Sequence, residues 1–166
     1  MSLQVVDEYI KDTPESLKEK PYQAIVLSTK EMIDKYWAQS IPHLEKCLEG
    51  MYGEATIDDI YTQVLQGQMF LIAVKNDETE VPDVKIILVL QLVYYPQYTA
   101  MNVVAMGGRD LRHSIKDHWD HILGWARLCG VTRMECSVAP AMERILTKAT
   151  GFKRKYVQLQ QKLSEI

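Results

Sequence analysis

The chain has 166 residues, 47% of them hydrophobic and 25% charged, with a formal net charge of −3. These are the proportions of an ordinary globular domain, and no apolar run nears the ~20 residues that a membrane span needs. The slight acidity argues against nucleic-acid binding through bulk charge.

Residues 1–21 read as a polar lead-in, in which Asp12-Thr13-Pro14-Glu15 can open a short helix. Residues 22–166 read as one domain. The first strand is predicted over Tyr22–Leu27. Ser28-Thr29-Lys30-Glu31 has the form of a capping box, hydroxyl first and carboxylate three residues on, and predicts a helix to about Gln39. Pro42 is expected to break that helix and leave a second piece over His43–Leu48. Gly50 and Gly53 mark a loop. Thr56 caps a helix over Ile57–Gln66, which Gly67 stops.

Met69–Lys75 reads as a short strand and Asn76–Asp83 as an acidic turn. Lys85–Tyr95, rich in Ile, Leu and Val, fits a central strand buried on both faces. Pro96-Gln97-Tyr98 turns the chain into a strand over Thr99–Met106, and Gly107-Gly108 opens a loop. Leu111, Ile115, Trp119, Ile122, Leu123 and Ala126 recur at helical spacing up to Gly130 and predict a core-facing helix. A strand over Arg133–Val138, a helix over Ala141–Thr150 and a last strand over Lys155–Leu163 follow. The predicted order is β-α-α-β-β-β-α-β-α-β, without internal repeat or linker.

Several constellations bear on chemistry. Cys47, Cys129 and Cys136 form an odd, scattered trio without a CxxC, neither a disulfide framework nor a zinc site. They point to reduced packing thiols in a cytoplasmic protein. No basic segment followed by an apolar one opens the chain, so no secretory leader is expected. His113, Asp117, His118 and His121 crowd one helix, but no cysteine or carboxylate cluster completes a metal site, so no metal is expected. HExxH, GxSxG and GxxxxGK[S/T] are all missing, so hydrolase readings have no starting point. Alternation puts Glu135 on one face with Arg133 and Ser137, as a solvated or ion-paired carboxylate first and a general base second. Tyr94, Tyr95 and Tyr98 cluster at a hairpin.

The element order, the helix ending Trp125-Ala126-Arg127-Leu128-Cys129-Gly130-Val131 and the helix ending at Gly151-Phe152 resemble the GNAT superfamily of N-acetyltransferases. The resemblance runs over about Tyr22–Leu163. It implies an α/β (α+β) fold, a mixed and mostly antiparallel central sheet with helices on both faces. It also implies a gap between the fourth and fifth strands, Val104-Ala105-Met106 against Cys136-Ser137-Val138, which takes the pantetheine arm of acetyl-CoA as an added strand. The pyrophosphate is then expected on the next helix N-terminus, with Arg109, Arg112, His113 and Ser114 as donors. Glu135 is the candidate base toward an amine acceptor that the sequence does not specify. Thr147 falls on the family's general-acid position, and Tyr156 is the phenol nearest in sequence.

The chain departs from the family at three places. The small residues of the family's phosphate loop fall on Leu111, His113 and Ile115. The acidic tyrosine is replaced by Thr147, too weak an acid for the task, and a polar asparagine by Pro140. The fourth strand carries no carboxylate. Two functions follow: an acetyl-CoA-dependent N-acyltransferase on an unknown amine, or a non-catalytic GNAT-fold structural or interaction protein. The latter would match the compact GNAT-like proteins of tailed phages, which the chain also resembles, placing it in host cytoplasm or virion. Neither membrane nor nucleic acid is an expected partner; self-association is left open.

Overall fold

The computed structural model describes residues 22–51 and 53–165; the expected lead-in helix at Asp12 lies outside them. The apolar run expected at the centre is there: Asp83–Tyr94 (β3) is the middle strand of five, and residues 86–90 are fully buried. Around it lie Gln23–Val26 (β1), Phe70–Asn76 (β2), Thr99–Gly108 (β4) and Arg133–Cys136 (β5). The strands stand in the order β1-β2-β3-β4-β5. All pairs are antiparallel except β4–β5, which is parallel. The fold class read from the sequence is the one observed.

Alternation divides β3 between two cores. Ile86, Leu88 and Leu90 face Leu111–Leu128 (α3) and Pro140–Ala149 (α4), packing with Ile115, Trp119, Ile122 and Leu146. Ile87 and Val89 face Lys30–Glu49 (α1) and Ile57–Leu65 (α2), packing with Ile33, Tyr36, Leu44 and Ile60. Each fully buried aliphatic side chain of this kind is worth roughly 1.5–3 kcal/mol.

One irregularity shapes β4. Val103 pairs with Leu90 and Ala105 with Val89, so Val104 has no partner across β3. This bulge turns two successive residues, Val104 and Ala105, to the α1–α2 side, while Val103 and Met106 face α3. A bulged strand bends and twists more strongly at the extra residue. The β4–β5 ladder runs only from Ala100–Arg133 to Val103–Cys136, and stops at the bulge.

Three local expectations are corrected. The cap of α1 is Thr29, not Ser28; its hydroxyl accepts from Met32 N–H at 3.2 Å. Pro42 does not break α1, which runs unbroken through it. Tyr36, Ser40 and Leu44 are buried along one stripe across the proline, so packing on the sheet keeps both halves on one axis. Residues 152–162, expected to include a final strand, belong to neither helix nor strand. None of the five strands of the sheet pairs with them among the described residues. The cap of α2 is as expected: Thr56 and Asp59 form a reciprocal capping box.

Gly107 and Gly108 end β4 rather than opening a loop, and both serve close packing. A Cβ on Gly107 would lie 2.6 Å from Cys47 Sγ and 2.7 Å from the His43 carbonyl oxygen. A Cβ on Gly108 would overlap the Lys85 carbonyl, which accepts the Arg109 N–H at 2.8 Å. Gly107→Ala is therefore expected to cost about 1–3 kcal/mol in urea unfolding, the range of overpacking. Adding Cys47→Ala should recover only part of this loss, because the His43 carbonyl stays in place.

Candidate functional site between the fourth and fifth strands

Beyond the bulge, β4 has β3 on one side and no strand on the other over residues 104–108, among the described residues. Residues 137–139, which continue β5, are not strand. The parallel ladder thus ends at Val103–Cys136 and β4 continues past it with an edge that no strand pairs among the described residues, a candidate notch at the sheet's parallel seam. Its β4 wall holds Val104, half-buried, with Ala105 and Met106 buried on either face. Cys136 stands on the β5 wall, its thiol pushed up to about 11 by burial first and by the Glu135 charge second. A thiol so protonated is a packing group rather than a nucleophile near neutral pH.

The notch opens toward the start of α3. Asp110 precedes this helix in the left-handed region (φ 50°, ψ 38°) and makes no side-chain cap. Its carboxylate instead accepts from His113 Nδ1 at 2.8 Å. The His113 and Ser114 N–H groups both go to the Asp110 carbonyl. That leaves Leu111 and Arg112 N–H as the first-turn donors without an intrahelical acceptor. The site thus pairs a donor-rich helix start with a carboxylate that repels anions.

The expected phosphate donors fare differently. Arg109 is committed elsewhere: its guanidinium donates twice to Asp83, at 2.8 and 2.7 Å, and to Tyr22 Oη at 3.3 Å. Tyr22 also donates to Asp83 at 2.5 Å. The Arg109 hydrogen bonds come first and the Tyr22 bond second in holding the Asp83 carboxyl down, at about 2. Arg112 and His113 are exposed, and Ser114 is buried. No pattern in the sequence announced Asp83 as the partner of Arg109, since the two are 26 residues apart.

The expected catalytic residues do not converge. Thr147 is exposed on α4 and donates its hydroxyl to the Glu143 carbonyl at 2.9 Å, one turn back on its own helix. Met134 and Cys136 pack toward α3 and α4, so alternation turns Arg133 and Glu135 to the opposite face. There Tyr95 donates to Glu135 at 2.6 Å, and Arg133 stacks over the Tyr98 ring at 4.8 Å. The Glu135 bond is the first cause that pushes the Tyr95 phenol up, to about 12. Tyr156 is exposed, and its neighbour Lys155 reaches Tyr98 Oη at 3.4 Å. A shallow depression of about 280 Å³, lined by Phe70, Gln91, Leu92 and Tyr94 among others, touches neither β4 nor β5. No group of three or more potential ligand side chains that could hold a metal occurs among the described residues, nor does a helix long and apolar enough to cross a membrane.

A bulged fourth strand, a short parallel fifth and a crossover helix between them define the GNAT acetyltransferase fold, and this chain has it. Solved structures share it at low identity. The aminoglycoside acetyltransferase meta-AAC0020 from an uncultured soil metagenomic sample superposes with a TM-score of 0.63 at 10% identity, over 87% of this chain and 98% of that one. Aminoglycoside N-acetyltransferase AAC(6')-Iy, solved in complex with CoA, gives 0.61 at 11% identity over 87% and 98%. Glucosamine-6-phosphate N-acetyltransferase from Arabidopsis thaliana gives 0.59 at 10% identity over 85% and 99%. No family model and no curated protein sequence matches the chain.

The Arg109 clamp makes a pH prediction. The folded Asp83 carboxyl, at about 2, lies below the ordinary ~3.9. Its stabilising contribution is therefore complete above pH ~4 and lost as pH falls through about 2. Carboxyl NMR titration of Asp83 should show that low midpoint, and Arg109→Ala should return it most of the way to the ordinary value.

Proposed function

We propose that the chain is a GNAT-type N-acyltransferase that takes acetyl-CoA and passes its acyl group to an amine. One observation carries this reading: the β4–β5 ladder stops at the Val104 bulge, so residues 104–108 have no strand partner on the β5 side among the described residues. A pantetheine arm, extended and carrying amides, satisfies such groups as an added strand does. The fit is good along the strand and mixed at its end. Val104, Ala105 and Met106 would hold the arm through main-chain groups. Arg112, with the Leu111 and Arg112 N–H groups, would meet the pyrophosphate, against the Asp110 carboxylate beside them.

When bound, the thioester supplies an acyl carbon activated toward amines. The protein's own share is to align the arm, exclude water and bring the acceptor close. Glu135 is the carboxylate on the β5 wall and would take the acceptor's proton once Tyr95 yields its hydrogen bond. A second reading, a non-catalytic GNAT-fold interaction module like the tailed-phage proteins, draws on Thr147. Its hydroxyl is engaged on its own helix, which leaves the departing thiolate without a proton donor there.

Calorimetry with acetyl-CoA separates the two. Binding is expected, weakened by about 1–3 kcal/mol in Arg112→Ala, the range for bonds to charged groups. Asp110→Asn should tighten it by about 0.3–1 kcal/mol, the worth of one charge at a helix N-terminus. Neither heat nor thermal shift at millimolar ligand would establish the second reading instead.

Catalysis has its own test. A missing general acid costs roughly 10²–10⁴-fold in rate. Thr147→Tyr is therefore expected to raise thiol release from acetyl-CoA in the presence of amines, provided the phenol fits. Rapid transfer by the unmodified protein, unchanged in Thr147→Ala and Tyr156→Phe, would refute this account of how the thiolate leaves.

A further inference from the structure

Alternation and register put a polar row on the sheet face that carries α1 and α2. On that face the buried apolar residues of β3 and β4 end at Val89 and Ala105. In the next row Gln91 stands opposite Asn102, and Asn102 opposite Glu135. Their strand neighbours Leu90, Leu92, Met101, Val103, Met134 and Cys136 all pack on the α3–α4 side, so these three side chains point the other way. Side chains directly opposite on one face lie about 5 Å apart. The three therefore form one strip across three strands, next to the Val104 bulge. The strip is half-buried, and neither amide side chain has a hydrogen-bond partner among the described residues. Water satisfies such amides until a polar ligand replaces it.

Two opposite charges at the end of this strip are kept from each other. Arg133 and Glu135 share a face of β5, their Cα atoms about 7 Å apart at ~3.3 Å per residue. Tyr95 holds one Glu135 oxygen at 2.6 Å, while the Tyr98 ring holds the Arg133 guanidinium at 4.8 Å. Lys155 reaches the Tyr98 hydroxyl at 3.4 Å. Neither cation forms an ion pair among the described residues, and the second Glu135 oxygen has no donor there. The result is an open carboxylate and two open cations, a short step apart, with amides between the carboxylate and the sheet centre.

We propose that this strip takes a zwitterionic amine, a free amino acid, as the acyl acceptor. Its ammonium goes to Glu135, its carboxylate to Arg133 and Lys155, and its remaining polar atoms to Gln91 and Asn102. The inference rests on the acyltransferase reading, which puts the thioester at the adjacent bulge. It also sets a preference: a polycationic amine meets two like charges here, and a zwitterion meets one partner for each of its own.

NMR titration of the full chain, without acetyl-CoA, tests the proposal. L-Alanine is the probe. L-Alaninamide, which keeps the amine and lacks the carboxylate, is the control and also stands for a peptide N-terminus. L-Alanine is expected to move the side-chain amide signals of Gln91 and Asn102 to saturation. L-Alaninamide should bind about three- to tenfold more weakly, between the worth of an exposed ion pair and that of a charged hydrogen bond. Arg133→Ala should bring L-alanine close to that weaker level, and Arg127→Ala, exposed at the end of α3, should change nothing. If Arg133→Ala fails to fold, Lys155→Ala carries the same expectation. Equal binding of the two probes, no binding of either, or L-alanine binding untouched by both substitutions overturns the proposal. Should acetyl-CoA fail to bind while L-alanine behaves as expected, the acyltransferase reading falls and the strip stands as a zwitterion site. Should acetyl-CoA bind and L-alanine not, this proposal alone falls.

Discussion

The extra residue at Val104 is the constraint on which the candidate site depends. Up to Val103, β4 is an ordinary inner strand, bonded to β3 on one side and β5 on the other. Past it, β4 keeps β3 but has no strand on the β5 side among the described residues. Without the bulge the two strands would stay in register, their backbone groups would satisfy one another, and the sheet would close over the gap. The notch is thus made by one unpaired residue rather than by a loop. It is held open because both neighbours are firmly placed: β3 buried through residues 86–90, and α3 packed through Ile115, Trp119 and Ile122.

The chemistry around the notch is uneven. Its strand side offers main-chain groups of a kind that any sequence can supply. Its helix side depends on particular side chains: the left-handed turn is filled by Asp110, a residue that tolerates that conformation but brings a negative charge. The glycines nearest this turn, Gly107 and Gly108, lie earlier and are used against Cys47, His43 and Lys85. Arg109, which the resemblance made an expected phosphate donor, is turned toward Asp83 and Tyr22 and helps fasten β4 to β3. Charge near the site has gone into holding the sheet's rim together.

This division explains what was legible in the sequence. The central strand, the α3 stripe and the Thr56 cap were readable because periodicity and capping are local. Pro42 was misread because local propensity yielded to packing: Tyr36 and Leu44 anchor the helix on both sides of the proline. The Val104 bulge left no trace, since an extra residue in a run of Val, Ala and Met looks like any strand. The Asp83–Arg109 clamp and the Tyr95–Glu135 bond join residues 26 and 40 positions apart, and no spacing rule connects them. The strand expected over Lys155–Leu163 does not form: the segment is exposed and irregular, and composition alone does not show whether a sheet edge will receive it.

The sheet's topology also bears on the order in which the molecule assembles. Strands β1 to β4 are antiparallel neighbours, and β2, β3 and β4 follow one another through short turns, so most of their contacts close small loops. The one parallel pair, β4 with β5, must wait for the whole of α3 to cross over. Contacts that span longer stretches of chain cost more closure entropy and form later. The notch is therefore the seam between an early meander and a late crossover. A molecule lodged there would bridge the two, slow the opening of the crossover unit and lengthen the life of the native state with little effect on how fast the meander forms.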